Sequence, residues 1–140
     1  MGRARETLSL IAVDTNILVR LIVADDDAQL GAVKELLASN TIVVPHIAIV
    51  EAEWVLRSTY CWSRRKVADA LAAVLHLHSV TIDVKDHVIW ALERHRAGAD
   101  LADMLLLVAA RDAAGFATFD RKLKRQAGTK APVPIMRLSA

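Results

Sequence analysis

The order of apolar and polar positions along the chain predicts short strands that alternate with helices. Strand-like apolar runs occupy 8–13, 41–44, 80–84, 116–119 and 133–138. Between these runs the apolar residues recur at helical spacing. The predicted helices span 15–23, 26–38, 46–60, 64–77, 86–97, 100–114 and 121–125. Such alternation favours an α/β fold, a three-layer α/β/α sandwich with a short, mainly parallel sheet.

The same pattern predicts which faces of the elements are buried. We expect strand 8–13 to be covered on both faces, because it is almost wholly apolar. Segment 100–114 is apolar on most sides and predicts a central helix that Gly115 ends. Ser63 is expected to cap the helix that follows it, and Gly98 to end the one before it. The residues expected to face the core from helix 46–60 are Ile47, Val50, Trp54, Val55 and Leu56.

Length and composition limit the class of protein. A chain of 140 residues forms one domain, here taken as residues 1–140 with 1–8 as an N-terminal extension. A net charge of +2 excludes a bulk polycation, so nucleic acid would have to be bound by local patches. Cys61 has no second cysteine to pair with, which favours a reducing cytoplasm. No apolar run approaches the ~20 residues of a membrane span, and no signal peptide is recognised.

Four acidic residues fall where predicted strands end or where the next helices begin. They are Asp14, Glu51, Asp103 and Asp120. The carboxyl ends of parallel strands share one edge of a sheet, where ligands bind. Simpler interpretations stay open: Asp14 and Asp103 could serve helix N-termini, Glu51 could be exposed, and Asp120 could form a turn. However, Glu51 and Asp103 interrupt apolar runs, where an unpaired acid is costly.

Converging carboxylates would repel one another unless a cation lay between them. Oxygen ligands suit Mg²⁺ or Mn²⁺, and two such ions can support attack of water on a phosphodiester. No His or Cys pair has the spacing of a zinc site. The residue pattern therefore predicts a site for a small divalent cation.

Four segments, in this order, resemble the PIN-domain family, and within it the VapC type of toxin. They are IAVDTNILVRLIVADD (11–26), VEAEWVLRS (50–58), GADLADMLLLVAA (98–110) and FATFDRKLKR (116–125). By position, Asp14, Glu51, Asp103 and Asp120 match the four acids of the family, and Glu51 matches better than Glu53. Asn16, Asp100 and Thr118 match polar residues that support those acids, although Leu101 stands where the third segment often has Phe.

This resemblance implies a Mg²⁺-dependent endoribonuclease, with Mn²⁺ as a possible substitute, that is the toxin of a type II toxin–antitoxin pair. It also implies a homodimer and a VapB-like antitoxin partner. Asp14, Asp103 and Asp120 would bind metal, and Glu51 would hold a second ion or orient the attacking water. Arg121 and Lys122, beside Asp120, are candidates for contacts with RNA phosphates, and Trp62 is a candidate for a partner contact.

Two other classes of function are alternatives to the nuclease. A receiver-like signalling module needs an acceptor Asp after a central strand and a lysine after a late one. Here Asp83 is followed by Val84 and Lys85, and no late strand ends in a lysine. A catalytically weak PIN-like domain that only binds RNA or another protein is the main alternative. The presence of all four acids favours the enzyme.

Overall fold

The computed structural model describes residues 9–140, and the predicted extension 1–8 lies outside them. Within this range the predicted order of strands and helices is confirmed. The strands are β1 Leu10–Ala12, β2 Thr41–Val43, β3 Val80–Thr81, β4 Phe116–Thr118 and β5 Ile135–Arg137. The α-helices are α1 Thr15–Ile22, α2 Asp27–Ser39, α3 His46–Ser58, α4 Arg64–Leu75, α5 Lys85–Arg96, α6 Leu101–Ala109 and α7 Leu123–Ala127.

Every pair of hydrogen-bonded strands in the described chain is parallel. β1, β2 and β3 lie side by side in that order, with Leu10 opposite Thr41 and Val43 opposite Thr81. β4 and β5 form a separate parallel pair rather than joining β1. The α/β sandwich with parallel strands is therefore confirmed. β1 and β4 both end at an acid, because Asp14 and Asp120 follow them closely in the chain.

Side chains with oxygen acceptors begin four of the helices. Asp14, Asp26, Ser63 and Asp100 cap α1, α2, α4 and α6, each by accepting a hydrogen bond from a backbone amide three residues on. The predicted Ser63 cap is thus confirmed. Gly98, just after α5, adopts a φ of +120°, which confirms it as the residue that ends the helix.

Helix α6 lies in the core, as predicted, but it is shorter than predicted. Its buried residues include Met104, Leu107 and Val108. It ends at Ala109 rather than at Gly115, because the chain turns at Ala110, whose amide bonds to carbonyls three and four residues back. The helices α1, α3, α4 and α5 supply most of the remaining core.

Two predictions of burial were wrong. β1 lies at the edge of the three-stranded sheet and is exposed along its length, because the described residues leave its side chains uncovered. On α3 the prediction was wrong for Ile47 and Trp54, which are exposed, whereas Leu56 is buried and Val50 and Val55 pack against the core as predicted. The apolar residues of this helix occupy two faces, and the core takes the one formed by Ala48, Ile49, Ala52 and Leu56.

The helices between residues 9 and 140 are all too short or too polar to cross a membrane.

Candidate functional site

Asp14 lies at the junction of β1 and α1, and its side chain caps the helix. One carboxylate oxygen, Oδ1, accepts a hydrogen bond of 3.0 Å from the amide of Ile17. The side chain is otherwise exposed. Asn16, predicted to support the acid, is also exposed and borders a groove between α1 and α2. The capping interpretation of Asp14 is therefore correct, and capping leaves the rest of this exposed carboxylate accessible to a ligand.

Asp100 and Asp103 lie together at the N-terminus of α6. Asp100 Oδ2 accepts a hydrogen bond of 3.0 Å from the amide of Asp103, so the first turn of the helix holds both residues. Asp100 is exposed, and Asp103 is half-buried. A helix N-terminus favours negative charge, which suits two neighbouring carboxylates here.

Asp120 is held in the turn that follows β4. Its amide donates a hydrogen bond of 2.9 Å to Thr118 Oγ1, and its Oδ1 accepts one of 2.8 Å from the amide of Lys122. Thr118 therefore orients the backbone of Asp120 rather than its carboxylate. Arg121 and Lys122 are exposed next to this turn, where they are accessible to a phosphate group.

The carboxylates of Asp100 and Asp120 lie close enough to Asp103 to act on it electrostatically. Partial burial raises the pKa of Asp103, and the negative charges of Asp100 and Asp120 raise it further. The structure thus brings together the acids that follow β4 and begin α6, although they are far apart in the sequence. We call Asp100, Asp103 and Asp120 the acidic cluster.

Glu51 is not among the charges that raise the pKa of Asp103. It lies on the exposed side of α3, as the simpler interpretation of this acid had it, although its neighbours in the sequence are apolar. The helical period explains why Glu51 and Glu53 differ in burial. Each residue advances about 100° around the helix axis, so residues 51 and 53 point to nearly opposite sides. Glu53 is the acid that faces the core.

Among residues 9–140, no three His, Cys, Asp or Glu side chains are arranged to hold a metal ion between them. The donor set still fits a small hard cation, because the acidic cluster offers only oxygen ligands and its like charges repel. Mg²⁺ commonly keeps several water ligands and takes only one or two carboxylates. The four-acid metal site stays a prediction.

A buried polar network beside the candidate site was not predicted. Glu53 Oε1 lies 3.1 Å from Nε2 of His95, and Arg57 holds both carboxylate oxygens of Glu53. His95 Nδ1 donates to the Ala99 carbonyl at 2.8 Å, and Arg64 donates to the same oxygen at 2.8 Å. Burial lowers the pKa of His95, against the opposing effects of the Ala99 carbonyl and Glu53. In the sequence, the only sign of this network is that Glu53 has the helical spacing of the core residues of α3.

These observations define an α/β domain with parallel strands and a carboxylate cluster at the start of a central helix. The family model of the PIN domain matches residues 11–129, and the chain belongs to this family. Comparisons with curated proteins and with solved structures give no match. PIN domains are typically nucleases that use divalent metal ions, so at this level the chain is a nuclease-type hydrolase.

Proposed function

We propose that this chain is a Mg²⁺-dependent endoribonuclease, of the VapC type, that acts as the toxin of a toxin–antitoxin pair. The observation that carries the proposal is the acidic cluster of a PIN domain, in which burial and then the charges of Asp100 and Asp120 raise the pKa of Asp103. Carboxylates that repel one another gain stability from a bound cation, and a nuclease needs such a cation at the scissile phosphate. Mn²⁺ is expected to substitute for Mg²⁺.

In the proposed site, Asp14, Asp103 and Asp120 would hold the metal directly or through water, and Glu51 would hold a second ion or orient the attacking water. The ion, when bound, supplies a Lewis acid and a more nucleophilic water. Asp100 fixes the first turn of α6 by capping it, and Thr118 fixes the turn of Asp120. Water attacks phosphorus, and the bond to the leaving oxygen breaks.

Exposed cations beside Asp120 support an RNA substrate. Arg121 and Lys122 lie within two residues of the acid, where they could contact phosphates that flank the scissile bond. The weak net charge of +2 means that such local contacts, rather than the whole surface, would attract RNA. An RNA substrate and an unpaired, exposed Cys61 favour a cytoplasmic location.

Two apolar surfaces support the proposed partners. One joins Ile47, Val50 and Trp54 of α3 to Leu106 of α6, and we call it the α3–α6 face. Ile47, Trp54 and Leu106 are 69%, 62% and 54% exposed. These three side chains alone present on the order of 300 Å² per copy, a large share of the ~800 Å² that a standard interface buries on each partner. We assign this face to a second copy of the chain.

The second surface is a groove between α1 and α4, bordered by Leu21, Ile22, Trp62 and Val74. Lys66 Nζ lies 4.0 Å from the centre of the Trp62 ring, and Asp69, which also lines the groove, is paired with Arg96. Because Asp69 already has a basic partner and Lys66 pairs with an aromatic ring rather than with an acid in the described part of the chain, the groove suits an apolar segment with an acidic neighbour, and we assign it to a VapB-like antitoxin.

Cleavage of RNA tests the proposed chemistry. Purified protein should cleave a mixed-sequence RNA with Mg²⁺ or Mn²⁺ and much less with Ca²⁺, which prefers longer bonds and more ligands. Asp103→Asn should abolish cleavage and growth arrest. Asp112→Asn is the matched control, because this exposed acid lies just beyond the other end of α6.

The result also separates the enzyme from the alternative of a catalytically weak binding domain. RNA binding that survives Asp103→Asn, with no cleavage by the wild type in any of the metals, would support the binding domain. Full activity of Asp103→Asn would show that the acidic cluster does not hold the catalytic ion.

A further inference from the structure

The buried network of Glu53, His95 and Arg64 meets at one backbone atom, the carbonyl oxygen of Ala99. His95 and Arg64 each donate a hydrogen bond of 2.8 Å to it, from α5 and from α4. His95 is only 1% exposed, and Glu53 of α3 lies against its other ring nitrogen. Two helices therefore hold a single peptide group, and α3 supports it through the contact of Glu53 with His95.

That peptide group joins Ala99 to Asp100, so whatever fixes the carbonyl also fixes the start of α6. Asp100 caps the helix through the amide of Asp103, and its own carbonyl accepts from Met104 at 3.1 Å. A rotation of the Ala99–Asp100 peptide would move the Asp100 side chain and loosen the turn that carries Asp103. The network thus lies one peptide bond from the acidic cluster.

The chemistry of the network favours one arrangement of protons. Arg64 Nη1 lies 3.2 Å from His95 Nδ1, but the carbonyl oxygen of Ala99 is closer, at 2.8 Å, and a carbonyl oxygen only accepts, so the shorter contact favours a proton on Nδ1. His95 Nε2 is buried and makes no aligned hydrogen bond with a described residue, although Glu53 Oε1 lies 3.1 Å away. A pair of apolar side chains would pack helices α3 and α5 without such an unsatisfied group. A contribution to stability alone therefore does not explain why these positions carry polar residues.

We infer that Glu53, His95 and Arg64 are positioning residues, which orient the Ala99–Asp100 peptide and through it the carboxylates of Asp100 and Asp103 for metal binding. The inference rests on the proposed function, because it needs the acidic cluster to hold a cation. In this role none of the three residues would contact the substrate or the metal. They act through the backbone, as residues that support metal ligands commonly do.

Arg64 is the residue to change, because it is only half-buried and its loss leaves no charge stranded in the core. Arg64→Met keeps the length and apolar stem of the side chain and removes the donor to Ala99. The matched control is Arg65→Met, which makes the same charge change at the next, exposed position of α4. Arg64→Lys restores a donor and should rescue part of any loss.

The first measurement is amide hydrogen exchange by NMR without metal. In Arg64→Met the amide of Asp103 should exchange about tenfold faster, the change expected from the loss of one buried hydrogen bond. Amides in β2 should keep their wild-type rates, and Arg65→Met should match wild type throughout. An unchanged Asp103 amide in Arg64→Met would overturn the inference.

The second measurement is the affinity for Mn²⁺, followed by electron paramagnetic resonance of the free ion. Arg64→Met should bind Mn²⁺ about tenfold more weakly, as when a supporting residue of a metal ligand is removed. Arg65→Met should bind as wild type does, and Arg64→Lys should lie between. Wild-type affinity in Arg64→Met would overturn the positioning role alone, whereas absence of Mn²⁺ binding by the wild type would overturn the proposed function.

Discussion

Trp54 offers a direct test of the proposed dimer, because its side chain is large, apolar and 62% exposed on the α3–α6 face. An aromatic side chain carries about 150–250 Å² of surface, so Trp54 presents roughly 100–150 Å² to solvent. At about 25 cal/mol per Å², covering that area is worth ~2.5–4 kcal/mol per copy.

A symmetric dimer covers two copies of the residue. If each of the two Trp54 side chains contributes only half of that free energy, Trp54→Ala should weaken association by about 2.8 kcal/mol, which is a hundredfold in Kd. The fold of the isolated chain should change little, within about 0.5 kcal/mol, because the side chain contributes mainly exposed surface. The two effects should therefore separate.

Sedimentation equilibrium over a wide range of concentration measures the dimer, and urea denaturation at low concentration measures the fold. Leu77→Ala is the control, because Leu77 is an exposed apolar residue beyond the end of α4. A wild-type chain that is monomeric at tens of micromolar would refute the assignment of this face. So would a Trp54→Ala chain that dimerises as tightly as wild type.

Three further predictions concern stability. The pKa of Asp103 is raised in the folded state, so ionisation of its carboxyl group destabilises the fold. The free energy of unfolding therefore falls as the pH rises through that pKa, and this loss is absent at lower pH. Asp103→Asn should therefore resist urea better than wild type near neutral pH in EDTA, with the difference gone below about pH 3.5; a less stable variant near neutral pH would contradict this. Mg²⁺ at a hundred times its Kd should stabilise wild type by about 2.7 kcal/mol, seen as a higher Tm, but not Asp103→Asn at the same concentration. Cys61 is exposed with a φ of +56°, so Cys61→Gly should stabilise the fold by roughly 0.5–1 kcal/mol in urea denaturation, and a loss would mean that the thiol has a packing role.

The order of strands and helices could be predicted from the sequence because each element carries its own local signal. Caps such as Ser63 and the positive-φ Gly98 act within a few residues, and the apolar period is local too. The sequence predicts an α6 that is too long, because the alanines after Ala109 favour a helix although the chain turns there in the structure. The predicted burial of β1 was wrong for a related reason, because the sequence of one strand does not determine which other elements cover it.

The site was harder to predict because it depends on which acids meet in space. Helical spacing explains why Glu51 and Glu53 face opposite ways, but the sequence does not say which face of α3 is covered, since both are apolar. His95, which lies against Glu53, is on α5, and Arg64, which donates to the Ala99 carbonyl, is on α4. Each of these two contacts joins residues more than thirty positions apart. Such contacts leave no periodic signal, so the network could be found only in the structure.

Helix α3 connects the core, the candidate site and the proposed dimer through the angles between its side chains. Glu51 and Trp54 are three residues apart and share the exposed side, whereas Glu53 points into the core toward His95. A second copy that covers Trp54 would therefore also approach Glu51 and exclude water around it. Charges interact more strongly where water is excluded. Dimerisation through the α3–α6 face would thus change the electrostatics of Glu51 directly, while the Glu53 network acts on the acidic cluster from the opposite face of the same helix.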